Sequence, residues 1–244
     1  MRIIDLNCDL GEGVANEALL MPYISSCNIA CGGHVGDANT IDETIGLALK
    51  NDVKIGAHPS FPDKNNFGRK ILTISDEDLG KSIASQIELF VERLAVYNVK
   101  MHHIKAHGAL YNLIAKDVNA ATNYVNSIAQ FTKDAYLYVP YNSAIEKVAI
   151  ERNINIKYEA FADRNYTADL SLVSRVNEDA IISDPTAVYN HIMHIIQDGK
   201  VLTIDKTLLK IKADTFCIHG DNLEALPILK KITQLLNSQN IKIA

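Results

Sequence analysis

Asp5-Leu6-Asn7-Cys8-Asp9-Leu10-Gly11-Glu12-Gly13-Val14-Ala15-Asn16 reads as a strand running into a turn, and its second half separates two architectures. An open, doubly wound sheet carries a G-x-G-x-x-G phosphate loop after its first strand. Here Gly11 and Gly13 are present, the third glycine is missing, and Asp9 and Glu12 stand where a pyrophosphate would sit. The stretch favours a closed barrel. Along the strand, period-two alternation puts Asp5, Asn7 and Asp9 on one face. Carboxylates on the inner face of a buried strand need partners or a ligand, because leaving them unpaired is costly.

Working outward, short apolar runs at residues 3–8, 27–30, 53–57, 101–105, 136–139, 156–159 and 215–219 predict seven strands, mostly flanked by Gly, Asn, Asp or Pro. Helical patterns lie between them. Ser75 with Asp78 forms a capping-box signature ahead of Leu79, Ile83, Ile87, Phe90 and Leu94, which share one face. Asp184-Pro185 opens another helix, with Val188, Ile192, Ile195 and Ile196 inward. Asp117 is expected to cap residues 118–131, Asn142 residues 143–151, and Asp37 or Asn39 a helix reaching Leu49. A last helix is expected over 223–236, its start blurred by Pro227. Strand and helix in alternation imply parallel strands with right-handed crossovers. The fold class is therefore α/β with seven parallel strands, and the incomplete phosphate loop favours a closed barrel over an open doubly wound sheet. No linker-like stretch divides residues 1–244, so one domain is expected.

Composition narrows the function classes. Of 244 residues 48% are hydrophobic and 22% charged, enough apolar material for a sizeable core. A net charge of −5 without a basic run argues against nucleic acid or an anionic membrane as partner. No apolar run has the length of a signal-peptide core or a membrane span, so a cytoplasmic location is expected. Cys8, Cys27, Cys31 and Cys217 read as reduced thiols. Cys27 and Cys31 lack a second matching pair, which argues against a thiolate zinc site.

The polar residues gather at strand ends, where α/β barrels build their sites. Asn28 to Asp37 brings His34 among three glycines. His58 ends a strand and precedes a long loop that carries Asn66-Phe67-Gly68-Arg69 and reads as a lid. His103, Lys105 and His107 alternate onto one side; a lysine there needs a carboxylate or an anionic ligand to stay charged. Glu159 and Asp163 share a face, with Arg164 beside them to hold an anion. Asp221, after His219-Gly220, is read as a cap for the last helix, and His191 and His194 as ordinary packing or surface residues. No G-x-S-x-G, H-E-x-x-H or P-loop is present. An inventory of carboxylates, imidazoles and one lysine suits acid/base or metal-assisted hydrolysis. The catalytic candidates are Asp9, His58, Lys105, His107 and Asp163. Asn7, Asn28, His34, Arg69, Glu159 and Arg164 are candidates for substrate binding. If a divalent metal is bound, Asp9, His34 and His58 are the expected ligands.

Seven motifs in order, Asp5-Leu-Asn-Cys-Asp-Leu-Gly-Glu, Asn28-Ile-Ala-Cys-Gly, Gly56-Ala-His-Pro, Phe67-Gly-Arg, His107-Gly-Ala-Leu-Tyr-Asn, Phe161-Ala-Asp-Arg-x-Tyr and His219-Gly-Asp, resemble the LamB/YcsF family. The resemblance spans about residues 2 to 221. It implies a seven-stranded parallel β/α barrel similar to those of glycoside hydrolases and deacetylases. It also implies the A subunit of an ATP-dependent 5-oxoprolinase, which with B and C subunits opens 5-oxo-L-proline to L-glutamate while ATP is hydrolysed. Homo-oligomerisation is compatible with this. A stand-alone metal-dependent hydrolase or deacetylase, or a non-catalytic lactam-binding subunit, are the alternatives. Ala106, Gly33, Val35, Lys70, Leu170 and Ser174 depart from the family's usual residues without removing a charged candidate.

Overall fold

The computed structural model of the chain describes residues 2–222 and 224–244. Along it run β1 (Arg2–Leu10), α1 (Glu17–Leu20), β2 (Ser26–Ala30), α2 (Ala38–Lys50), β3 (Lys54–His58), α3 (Asp76–Val96), β4 (His103–Ile104), α4 (Gly108–Lys116), α5 (Val118–Ile128), β5 (Tyr136–Pro140), α6 (Ala144–Glu151), β6 (Ile156–Phe161), α7 (Pro185–Asp198), β7 (Lys200–Leu202), β8 (Leu208–Lys210), β9 (Thr215–His219), α8 (Ala225–Ser238) and β10 (Ile241–Ile243).

Strands β1 to β6 pair in order, all parallel, and β6 pairs with β9. Strand β9 then returns to β1, from Asp5 opposite Thr215 to Asp9 opposite His219, and the seven strands close into a barrel. Both faces of β1 from Ile4 onward are buried, Leu6 and Cys8 on one side and Asn7 and Asp9 on the other. The helices form the outer layer, and Ile41, Ile45, Ile83, Ile87, Phe90, Val188, Ile192, Ile228 and Ile232 supply much of its inner apolar surface. At Gly56 on β3 an added Cβ would lie 2.2 Å from His103 Nε2. The missing side chain makes the room that the neighbouring imidazole fills.

Strands β7, β8 and β10 lie outside the seven. Each is three residues long, too short to show alternation in sequence. The expected strand at 101–105 contracts to His103–Ile104. Capping follows local chemistry with two changes. Asp37 accepts from Asn39 and Thr40, Asp117 from Ala120 and Asp184 from Ala187, as expected. The α6 cap, however, is Ser143, in a reciprocal box with Glu146, while Asn142 adopts φ 61° one residue earlier. Ser75 caps α3 by accepting from the Asp78 amide, but the Asp78 carboxylate bonds the Ser75 hydroxyl instead of its backbone, so no reciprocal box forms. The helix after Asp117 ends at Ile128 and gives way to a 3-10 turn, Ala129–Phe131. Leu223, the expected start of the last helix, lies outside the described residues. Pro227 falls in the first turn of α8, where no amide hydrogen is needed.

Candidate active site

Inside the barrel the alternate residues of neighbouring strands form one polar network. Asp5 Oδ1 accepts from Ser26 Oγ at 2.8 Å and Thr215 Oγ1 at 2.6 Å. Asn7 Nδ2 donates to Glu159 Oε1 at 3.0 Å, and Asn28 Nδ2 to Asn7 Oδ1 and Asp9 Oδ1 at 2.8 and 2.7 Å. Above them Lys105, 1% exposed, sets its Nζ 2.8 Å from Asp9 Oδ1, 2.9 Å from Glu159 Oε1 and 3.0 Å from Cys217 Sγ. Burial alone would discharge this lysine, but the Asp9 and Glu159 carboxylates lift its pKa well above the usual value. Burial likewise works against the Asp9 carboxylate, yet His58 and Lys105 hold its pKa well below the ordinary range. The pair is therefore ionic. Burial and the Asp9 charge push the Cys217 thiol up, so it stays protonated and is a poor nucleophile.

At the C-terminal strand ends the imidazoles collect around Glu12. His34 Nε2 lies 3.1 Å from Glu12 Oε1, and His107 Nδ1 3.3 Å from it. The His34 and His107 rings stack at 3.7 Å, and His58 Nε2 approaches His107 Nδ1 to 3.0 Å and Asp9 Oδ2 to 3.5 Å. Burial lowers the His34 pKa to about 3 and moves His107 down as well, so these rings are neutral at pH 7. Burial and Asp9 push Glu12 up. Asp163, buried, accepts from the His219 amide at 3.2 Å and meets its Nδ1 at 3.0 Å. Burial would raise the Asp163 pKa, but the His219 charge and hydrogen bonds bring it below the usual value.

A cavity of about 460 Å³ opens over this floor. Asp9, Glu12, His58, Lys105 and His107 line its base, and Arg69, Arg175, His219 and Asp221 its mouth. Arg69 and Arg175 both grip Asp221, the latter at 3.1 Å. Asp221 therefore ties the loops of three strands together; the helix cap expected of it falls to Glu224, which makes no side-chain cap bond. Arg164 reaches the cavity, but its Nε and Nη2 donate to the carbonyls of Ala180 and Val173 at 3.1 and 2.5 Å. Its donors brace the 162–184 segment and are not free for an anion.

Four of the five catalytic candidates thus meet at the cavity base, and Asp163 stands behind His219. Of the substrate-binding candidates only Arg69 and Arg164 line the cavity. Asn7 and Asn28 lie beneath it, fully buried in the network, His34 behind His107, and Glu159 beside a smaller neighbouring space of about 90 Å³. Glu12, Tyr111 and Arg175 line the cavity without having been singled out. Glu12 stood in the first motif, three residues past Asp9, a spacing that strand alternation cannot place. Arg175 lies in a long loop with no periodicity to orient it.

The sequence model of the LamB/YcsF family matches residues 4–244. This chain belongs to the LamB/YcsF family. A relative, the A subunit of 5-oxoprolinase from Bacillus cytotoxicus, is 37% identical over 237 residues, covering 95% of this chain and 94% of its own. The lactam utilization protein from Thermus thermophilus superposes with a TM-score of 0.91 at 29% identity, over 100% of this chain and 99% of that one. A peptidoglycan deacetylase from Bacillus subtilis shares the barrel alone, with a TM-score of 0.52 at 12% identity over 99% and 86% of the two chains. In this LamB/YcsF chain the metal trio read from sequence, Asp9, His34 and His58, is not the set that converges. Among the described residues Glu12, His34 and His107 place donor atoms within 4.8 Å of one another, with His58 adjacent. His107 and Glu12 with the adjacent His58 offer two imidazoles and a carboxylate, the donors a transition metal takes, so the residues present fit such an ion. An ion held there would supply Lewis-acid polarisation of an oxygen in the cavity.

Proposed function

We propose that this chain is the A subunit of an ATP-dependent 5-oxoprolinase, acting with B and C subunits in the cytoplasm to open 5-oxo-L-proline to L-glutamate. The observation that carries the reading is the meeting of His58, Lys105, Asp9 and His107 at the base of a cavity in a LamB/YcsF barrel whose full-length relatives bear the name of the 5-oxoprolinase A subunit. No helix among the described residues is long and apolar enough to cross a membrane, in keeping with this setting.

The chemistry explains the ATP. A lactam carbonyl is a weak electrophile; transfer of the γ-phosphoryl group from ATP to the amide oxygen releases ADP and opens the ring carbon to water. The ring C–N bond then breaks with the nitrogen taking a proton, and a second water releases phosphate from the acyl phosphate left behind. The cavity supplies what that attack needs. Ionic Lys105 at its base lies where negative charge on a tetrahedral carbon is favoured. Arg69 and Arg175 at the mouth match a substrate carboxylate or phosphate. Co-expressed with its B and C partners, the chain is expected to release glutamate and ADP from 5-oxoproline and ATP. Asp9→Ala, His58→Ala and Lys105→Ala are each expected to abolish glutamate release while the complex still assembles. An intact, ATP-supplied complex that yields no glutamate rejects the reading.

A further inference from the structure

His58 and His107 meet at the cavity floor with their ring hydrogens already committed. His58 Nδ1 lies 2.9 Å from the Lys105 carbonyl oxygen, and His107 Nε2 lies 2.9 Å from that of Phe67. A carbonyl only accepts, so each of these nitrogens carries the hydrogen. The other two, His58 Nε2 and His107 Nδ1, face each other at 3.0 Å, with the rings 88° apart. At that distance the two nitrogens are joined by one shared proton or by one ion. Glu12 Oε1 stands 3.3 Å from His107 Nδ1 and 4.0 Å from His58 Nε2, and Asp9 Oδ2 is 3.5 Å from His58 Nε2. A proton on Glu12 serves one imidazole and leaves the other facing a lone pair. A doubly charged ion serves both rings and both carboxylates at once.

We infer that His58 Nε2, His107 Nδ1 and Glu12 form a binding site for one divalent transition-metal ion, with Asp9 Oδ2 beside it. The spacing agrees. Ligand atoms on a four-coordinate ion with bonds of about 2.0–2.2 Å sit roughly 3.3 Å apart, and the donors here are 3.0, 3.3 and 4.0 Å apart. Two imidazoles and a carboxylate select zinc, cobalt or a similar borderline ion over magnesium or calcium. All three residues line the cavity, which leaves the ion an open side toward a substrate. His34 has a different part. Its ring is parallel to that of His107, so an ion in the plane of one lies outside the plane of the other. Its Nε2, 3.1 Å from Glu12 Oε1, orients the carboxylate instead. His34 is thus the member of the sequence-read trio that gives way, to Glu12 and His107.

The test is a Co²⁺ titration of the full chain after chelator treatment, at neutral pH, followed by Zn²⁺ competition. Wild type is expected to bind one equivalent with a visible d–d absorption that Zn²⁺ removes. His107→Asn and Glu12→Gln, shown to be folded by circular dichroism, are expected to lose both, and His34→Asn to keep the absorption with affinity lowered about 10–100-fold. Folded wild type that takes up neither ion, with three ring protons on the His58–His107 pair by nitrogen NMR, overturns the site. So does binding unchanged in both ligand variants. The result is read on the chain alone, whereas the lactam reading is tested by glutamate release from the complex, so the two can fail separately.

Discussion

Single residues in this barrel carry unusually large electrostatic loads, with Lys105 the clearest case. Two buried carboxylates lean on its ammonium, at 2.8 and 2.9 Å. Lys105→Met keeps the volume but strands both, and is expected to cost about 3–5 kcal/mol in urea unfolding; a loss under about 1 kcal/mol would mean the carboxylates are already protonated. His191 tests pH dependence away from the cavity base. Its Nε2 contacts the Phe161 carbonyl at 3.2 Å, and burial lowers its pKa from 6.5 to about 4. The neutral ring favours the fold, so its contribution is complete above pH 6.5 and is lost as pH falls through 4. His191→Gln is expected to narrow the stability difference between neutral pH and pH about 4.5 by about 2 kcal/mol, read from urea midpoints at the two values. An unchanged difference would assign the acid sensitivity to other groups.

At the scale of elements, the close fit of β3 to β4 and the bracing of the 162–184 segment are each exposed to one substitution. Gly56→Ala drives a methyl into the His103 ring and breaks its 2.6 Å contact with Asn28 Oδ1. The expected loss is about 1–3 kcal/mol in thermal or urea unfolding, from overpacking. Arg164→Ala frees the carbonyls of Ala180 and Val173. Faster limited proteolysis within residues 165–182, with the barrel strands still protected, is the expected outcome, and uniform cleavage would place the bracing elsewhere. These two cases also mark the reach of sequence reading. The seven barrel strands and their main helices were legible because buried parallel strands are continuous apolar runs and Ser, Asp and Pro announce helix starts. The site was legible where alternation ordered it, as for Asp5, Asn7 and Asp9, or His103, Lys105 and His107. It was not legible where loops fold back, as with Arg175 and Asp221, or where a charged residue's hydrogen bonds are taken by backbone, as with Arg164. Contacts between residues 152 and 46 positions apart leave no local signal.

For the molecule as a whole, the centre of the barrel and the floor of its cavity are one connected structure. The Lys105 network joins Asp9 and Glu159, and through them the amides of Asn28 and Asn7. Buried ion triads can often be exchanged for apolar residues with little loss or a gain of about 1–4 kcal/mol. Here the triple change Asp9→Leu, Glu159→Leu, Lys105→Met removes acceptors from two buried amides, at about 1–3 kcal/mol each. The triple variant is expected to melt below wild type in calorimetry; a higher melting temperature would show that the amides find new partners. Selection for heat tolerance therefore meets a ratchet at the barrel axis, where no series of single replacements leads from this polar centre to an oily one without passing through weaker proteins. The helical jacket and its loops make no part of this network, so gains in heat tolerance are open there without disturbing the axis.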